Sequence, residues 1–417
     1  MDNKIKVLWF CNATFSNIKP NSTGTWLNSM SDALVETDKI QLFNITQSSV
    51  KNITKQDYKS INQWLIPYTR LDKNGLPSLS IIKAIQKIVD DIKPDIIHIW
   101  GTESYWGLLT ARGFIKGNVI LEIQGLKFAI EKYFYSGMSI ADIFKCFRLK
   151  EFLKPSVSLF AQKRKFKKWG EFEKEMLTKH VNVSTQSNWV RAYVTSINAK
   201  IKVFNTYIPL RIEFTKVDKW QIDKCVRFQV FTSISSITSY KGLHILINAI
   251  AILKQRYPKI KLVIAGNVVN GIRQGGYTKW LKNKIKSLDI EENIVWLGSL
   301  NAKDLILHMK KANAVVIPSF VESYCLALEE SLTIGAPTVV SFAGAMPELA
   351  KQGETALFFP PGDICMCANS IHEIFESNSL ATYLSENAYN EKKSRDNLNI
   401  AKEQISIYNN ILKNEII

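Results

Sequence analysis

The sequence predicts an α/β protein of two doubly wound halves, each a parallel sheet flanked by helices. Three observations carry this reading. Short apolar, β-branched runs alternate with longer stretches of helical period. The alternation lapses over the turn-rich stretch Thr206–Cys225 and then begins again. The chain has 417 residues, 46% of them hydrophobic, enough for two cores at roughly 100–200 residues per domain.

In order along the chain, Lys4–Cys11 reads as the first strand. A loop containing Gly24 and a helix over about Thr25–Val35 follow it. Further strands are expected at Asp95–Trp100, Asn118–Gln124 and His180–Ser184. The second half supplies Arg227–Ile234, Ile260–Gly266, Asn293–Gly298, Asn313–Ser319 and Ala336–Ser341. Between its first two strands lies a run of apolar residues at helical spacing, bracketed by Gly242 and Pro258. The final polar segment carries Leu398, Ala401, Ile405, Tyr408 and Leu412 at the spacing of one buried helical stripe, able to pack on either half. The expected domains are 1–215, then 216–390, with a closing helix over 391–417.

Composition narrows the function. Lys and Arg number 54 against 37 Asp and Glu, a net charge of +17, which favours polyanionic surroundings: nucleic acid, anionic lipid or phosphorylated ligands. Six scattered cysteines show no framework spacing, and Cys365-x-Cys367 has no second Cys/His pair nearby, so neither disulfides nor a zinc site is expected. No stretch approaches the ~20 apolar residues of a membrane span, and a reduced cytoplasmic setting is expected. Basic residues concentrate in 141–170, nine of them (Lys145, Arg148, Lys150, Lys154, Lys163, Arg164, Lys165, Lys167, Lys168) against Asp142 and Glu151. Phe144, Phe147, Phe152, Phe160, Phe166 and Trp169 are interleaved. That composition suits an anionic membrane surface, or a solvated helix pair whose aromatics pack on the domain.

The chemistry concentrates in Pro318–Asp363. Glu322 lies in the loop after a buried strand, and Glu330 lies in the helix that follows. A helix beginning near Tyr324 would turn the amides of Ser323, Tyr324, Cys325 and Leu326 to the crevice at the strand's carboxyl end, a site for phosphate. Glu330 would look into that crevice toward a ribose diol, and Glu322 toward sugar hydroxyls. Lys241, opening the helix after the half's first strand, would meet a diphosphate. In the first half Gly24 is placed to let backbone approach a phosphate. His98, Glu103 and Gln124 stand near strand carboxyl ends, the acceptor-side candidates, with Thr185-Gln186-Ser187 after another strand.

These motifs, in their order, resemble the retaining glycosyltransferases of family 4, also called glycosyl transferases group 1. The match runs through Lys241-Gly242, Ala265-Gly266, Val295-Trp296-Leu297-Gly298, Pro318-Ser319, Glu322 with Glu330, Gly335-Ala336-Pro337, Gly344 with Glu348, and Gly362-Asp363. The resemblance implies the GT-B fold, two Rossmann-like domains facing across a cleft. It implies transfer of a hexosyl group from a nucleoside diphosphate sugar, a UDP-sugar favoured, to a glycan or lipid-linked acceptor, with retention. Lys241 would then contact the donor diphosphate, Glu330 the ribose and Glu322 the transferred sugar, with the base near Val295 and Leu300 and with Gly266 and Ser236 on the donor wall. No cofactor is implied beyond the donor itself, and no Asp-x-Asp triplet is present to hold a metal. Three departures stand out. Ser235-Ser236 occupies the place of a common arginine, Ser323-Tyr324-Cys325 replaces glycines after Glu322, and Gln124 replaces a common histidine. They leave a catalytically silent partner subunit as one alternative, and a basic nucleic-acid-binding protein as another of a different class. No nucleic-acid module is recognised, however, and an oxidoreductase lacks its Gly-x-Gly-x-x-Gly after the first strand.

Overall fold

The structure is a computed structural model that describes residues 4–16, 26–148, 151, 158–267, 275–393 and 396–413. The strands are β1 Ile5–Cys11, β2 Ile40–Ser48, β3 Thr54–Tyr58, β4 Ile61–Pro67, β5 Ile96–Trp100, β6 Val119–Glu122, β7 Asn182–Thr185 and β8 Lys202–Asn205 in the first half. The second half has β9 Gln229–Ser236, β10 Lys261–Asn267, β11 Ile294–Gly298, β12 Ala314–Ile317, β13 Thr338–Ser341 and β14 Leu357–Phe359. They form two sheets, ordered β3-β4-β2-β1-β5-β6-β7-β8 and β11-β10-β9-β12-β13-β14. All pairings are parallel except β3 on β4. This is the expected α/β class of two parallel sheets flanked by helices.

In each sheet the strand order reverses once near the middle, between β1 and β5 and between β9 and β12. Loops leaving adjacent strands there diverge to opposite faces and open a crevice at the carboxyl ends. The residues after β1 and β5, and after β9 and β12, are therefore the ones the topology delivers to the cleft.

β2, β3, β4, β8 and β14 are not among the expected strands. The buried positions of β2 and β4 are mostly apolar but include polar residues: Asn44 and Gln63 are fully buried. They are satisfied against the loop after β1, Asn44 donating to Ala13 O at 3.2 Å and Gln63 to Phe15 O at 2.6 Å. These buried polar residues interrupt the apolar run by which a parallel strand is read. β8 is a four-residue edge strand, half-buried at best.

The closing helix, Asn397–Lys413, returns to the first half. Ile400, Ala401, Ile405, Tyr408 and Ile411 pack in one apolar cluster with Val7, Trp9, Trp26 and Leu27. The stripe is rotated slightly from the expected one, with Ile400 and Ile411 buried in place of Leu398 and Leu412. The chain thus crosses between halves over 206–226 and again before residue 397. A third bridge comes from the basic, aromatic region. Phe134, Cys146 and Leu159 belong to the apolar cluster of the second sheet. Trp280 Nε1 donates to Asp142 Oδ1 at 3.2 Å, and the Ser239 hydroxyl donates to the Phe134 carbonyl.

Candidate active site

A cleft of about 1580 Å³ runs between the carboxyl ends of the two sheets. On the second-half wall, β9 ends in the turn Ser239–Lys241, and the helix Leu243–Lys254 starts at Gly242. Gly242 has φ +70°, and a Cβ there would stand 1.9 Å from the Pro318 carbonyl oxygen. Only glycine lets this helix start lie directly on the end of β12, and that approach brings Lys241 to Glu322. Lys241 Nζ lies 2.7 and 2.8 Å from the two Glu322 carboxylate oxygens. Ser319 Oγ donates to the same carboxylate at 2.7 Å. Burial works against the Lys241 ammonium, but the Glu322 carboxylate outweighs it and holds the group above its ordinary range. Gly344, φ +56°, serves the same loop: a Cβ would stand 2.2 Å from Glu322 O, where Ala345 N donates at 2.9 Å.

The helix after β12 is Leu326–Ile334, with Cys325 at its N-cap. It begins two residues later than expected, so the first-turn amides without intrahelical acceptors belong to Leu326 and Ala327, and Ser323 is not among them. The Ser323 carbonyl instead accepts from Ser187 Oγ across the cleft at 2.8 Å. Tyr324, Cys325, Leu326 and Ala327 line the cleft. Glu330 then lies little more than one turn in, and it does face the cleft. Its Oε1 accepts from Arg211 Nε at 3.1 Å and Nη2 at 2.5 Å. Adjacent Glu329 turns away to Lys392 Nζ at 3.3 Å, which resolves the helical register. Burial pushes the Glu330 carboxyl above the usual carboxylate range, and the Arg211 guanidinium pulls it back. Arg211 was missed in the sequence because it sits alone in the turn-rich linker, outside every motif.

Ser236, Gly266 and Leu300 also line the cleft, but Val295 does not. It is a mid-strand residue of β11, the edge of the sheet, and is 38% exposed. Only residues past the strand's end, from Ser299 and Leu300 onward, reach the crevice. Gly24 lies outside the described residues.

On the first-half wall the topology brings Glu103, Gln124 and Gln186 into the cleft. Glu103 Oε2, Gln124 Nε2 and Gln186 Oε1 are buried polar atoms with no hydrogen-bond partner. The Glu103 carboxylate lies against Gly101, where a Cβ would stand 2.1 Å from Oε2. Burial raises its pKa, opposed by the Lys127 ammonium. Lys127 Nζ itself donates to the Glu103 carbonyl at 3.1 Å and lies 4.9 Å over the Trp169 ring. Behind them Glu173 is fully buried, its pKa pushed by desolvation to about 8. It receives Phe128 N–H at 3.1 Å and lies 3.1 Å from Thr102 Oγ1.

His98 is placed elsewhere. It is fully buried, stacked on Trp100 with ring centroids 3.9 Å apart, its Nδ1 2.8 Å from Tyr408 Oη of the closing helix. Its Nε2 stands 3.6 Å from Glu122, and desolvation lowers its pKa. A mid-strand residue covered by a helix does not reach the carboxyl-end crevice, so His98 is a core residue and not a cleft one. The two walls are joined by Glu348, whose carboxylate accepts from Asn188 N at 2.7 Å and Trp189 N at 2.9 Å. It thereby caps the first-half helix Asn188–Ile197 from the second half.

Comparison with known proteins agrees with this geometry. Residues 215–391 match the family Glycosyl transferases group 1. An uncharacterized glycosyltransferase of Methanocaldococcus jannaschii is 30% identical over 178 residues, 42% of this chain and 43% of that one. The D-inositol 3-phosphate glycosyltransferase of Corynebacterium glutamicum is 22% identical over 227 residues, 54% of this chain and 53% of that one. The chain thus spans about half or less of the length of the curated relatives it matches. Sucrose-phosphate synthase of Thermosynechococcus elongatus superposes with a TM-score of 0.74 at 15% identity, covering 98% of this chain and 100% of that one. Anabaena HepE, solved with UDP-glucose, gives 0.65 at 17%, covering 96% and 99%. The chain has the GT-B fold, and its residues 215–391 resemble the glycosyl transferases group 1.

Proposed function

We propose that this chain transfers a hexosyl group from a nucleoside diphosphate sugar, a UDP-sugar favoured, to a hydroxyl of a glycan or lipid-linked acceptor, with retention and without a metal. The observation that carries the reading is the Lys241–Glu322 pair set beside the N-terminus of Leu326–Ile334, with Glu330 turned into the same crevice. In this scheme the donor diphosphate lies over Lys241 and the Leu326 and Ala327 amides, which neutralise charge as the bond from C1 to the phosphate oxygen breaks. Glu330 takes the ribose hydroxyls and Glu322 those of the transferred sugar, with the base toward Leu300. The acceptor oxygen forms the new bond to C1, and its proton passes to the leaving phosphate oxygen. Glu103, Gln124 and Gln186 offer two acceptor atoms and one donor to hydroxyls on the opposite wall. The donor UDP-glucose in the HepE structure supports the choice of base.

A bacterial surface polysaccharide or lipopolysaccharide role, at the cytoplasmic face of a membrane, is the setting proposed. Among the described residues no helix is long and apolar enough to cross a membrane. Ile140, Phe144, Phe147 and Phe160 are exposed, with Phe144 and Phe147 6.0 and 6.4 Å from Phe160 between ring centroids. Lys145, Arg148, Lys163 and Arg164 stand among them in sequence. Phe166 and Trp169 pack inward on Tyr240 and Phe172, whereas Lys150, Lys154 and Phe152 lie outside the described residues. Flotation with anionic vesicles at low salt tests this surface, and failure to float removes it. The transferase reading is tested by release of UDP from a panel of UDP-sugars in the presence of glycan and lipid acceptors. No turnover or nucleotide binding with any member would leave the silent-subunit alternative.

A further inference from the structure

The donor-side carboxylate is not built by the second half alone. Glu330 is 6% exposed, and the cation in contact with it comes from the linker between the halves, not from the sheet that carries it. Both Arg211 nitrogens, Nε and Nη2, converge on Oε1, so Oε2 is left to whatever enters the cleft. Arg211 is itself steadied by its own turn, the guanidinium lying 4.9 Å over the Phe214 ring. We propose that Arg211 is a positioning residue that keeps Glu330 ionised and aims Oε2 at the ribose diol, so that nucleotide affinity depends on the linker.

The chemistry follows from the environment. A carboxyl drawn into a buried crevice tends to take up a proton, and a protonated Glu330 loses much of its strength as a hydroxyl acceptor. The surrounding elements offer other charges but no evident substitute. Glu213 adds negative charge from the turn 212–214, and Cys325 is the neighbouring thiol. Lys303 and Asp304 reach the cleft from Ala302–Lys311 as a pair of opposite sign. Lys392 is engaged with Glu329, and Lys241 with Glu322.

This inference rests on the donor-site reading above, and its test separates the two. UDP affinity would be measured by calorimetry for the native chain, Arg211→Ala, Arg211→Lys, Glu330→Gln and Arg211→Ala/Glu330→Gln, with GDP and ADP as controls. Dividing each value by the native one at the same pH removes the nucleotide's own titration. Arg211→Ala should bind about tenfold more weakly near pH 6, the scale of one hydrogen bond to a charged group, and recover toward pH 9 as the buried carboxyl left without its guanidinium gives up its proton. Arg211→Lys should restore most of the loss. In the Glu330→Gln background, Arg211→Ala should add little. Equal binding by Arg211→Ala and the native chain overturns the proposal. So does a deficit that is flat with pH and persists in the Glu330→Gln background, which would make Arg211 a direct nucleotide contact. If the native chain binds none of the three nucleotides, the donor-site reading fails first and the role of Arg211 falls with it.

Discussion

The two walls of the cleft are finished in opposite ways. On the second-half wall every key side chain is already paired: Lys241 with Glu322, Glu322 also with Ser319, Glu330 with Arg211. On the first-half wall Glu103, Gln124 and Gln186 keep buried polar atoms with no partner. A buried polar atom left unmade costs ~1–3 kcal/mol, so on the proposed function the first wall would gain partners from the acceptor, whereas the second would exchange internal partners for the donor. The proposed donor wall is thus expected to keep its shape on binding, and the proposed acceptor wall to respond more to what fills it.

That contrast can be broken at several points. The largest effect is expected on the donor wall, where Lys241→Ala removes the cation beside the departing diphosphate and strands Glu322. Its kcat should fall by roughly 10²–10³, measured against the native enzyme with saturating donor, and a change below tenfold would move the diphosphate elsewhere. Next comes the backbone beneath it. Gly242→Ala combines a left-handed φ with a collision at Pro318 O, and should cost at least ~2 kcal/mol in chemical denaturation; unchanged stability would mean the helix start is not pinned to β12.

On the acceptor wall Glu103→Gln should raise the acceptor KM about tenfold, the scale of one buried hydrogen bond to a charged group. Donor affinity and donor hydrolysis should stay level. A loss confined to donor KM would place the transferred sugar, not the acceptor, at Glu103. Behind this wall the sign with pH is fixed by Glu173. Its carboxyl is neutral when buried, with a folded pKa near 8 against an ordinary value of 4.5. The group favours folding fully below the ordinary value, and its contribution is lost as pH rises through the folded one. The native chain should therefore lose stability relative to Glu173→Gln between those two values and run parallel to it above. A flat difference across that window would show Glu173 ionised throughout. The smallest effect is expected at the seam. Glu348→Ala removes the cap shared by Asn188 and Trp189 and should cost ~1 kcal/mol, with a modest rise in KM for both substrates.

The same contrast explains what the sequence disclosed. Lys241-Gly242, Glu322, Glu330 and Gly344 are legible because they lie in one half, in short motifs whose spacing is set by strand-loop-helix geometry. The spacing favours Glu330 over adjacent Glu329, and Lys392 claims the latter. His98 misleads because periodicity marks a strand but not the depth of a residue within it, and the cover is a helix 310 positions away. Val295 misleads for the same reason, standing three residues before the strand's end at Gly298, past which Ser299 and Leu300 reach the crevice. Arg211 is silent in sequence, since its partner stands 119 residues on and its own surroundings are a turn. β2 and β4 are hidden because buried Asn44 and Gln63 interrupt their apolar runs, satisfied by each other and by a loop in a pairing that no local pattern reports.

The second-half wall is proposed to hold a nucleoside diphosphate between Lys241 and Glu330. Thermal unfolding of the native chain, Lys241→Ala and Glu330→Ala against UDP, GDP, ADP and their sugars tests it most directly. One nucleotide at 100 times its dissociation constant should stabilise the native chain by about 2.7 kcal/mol and leave both variants unmoved. Equal stabilisation of all three chains, or none of any, would contradict it.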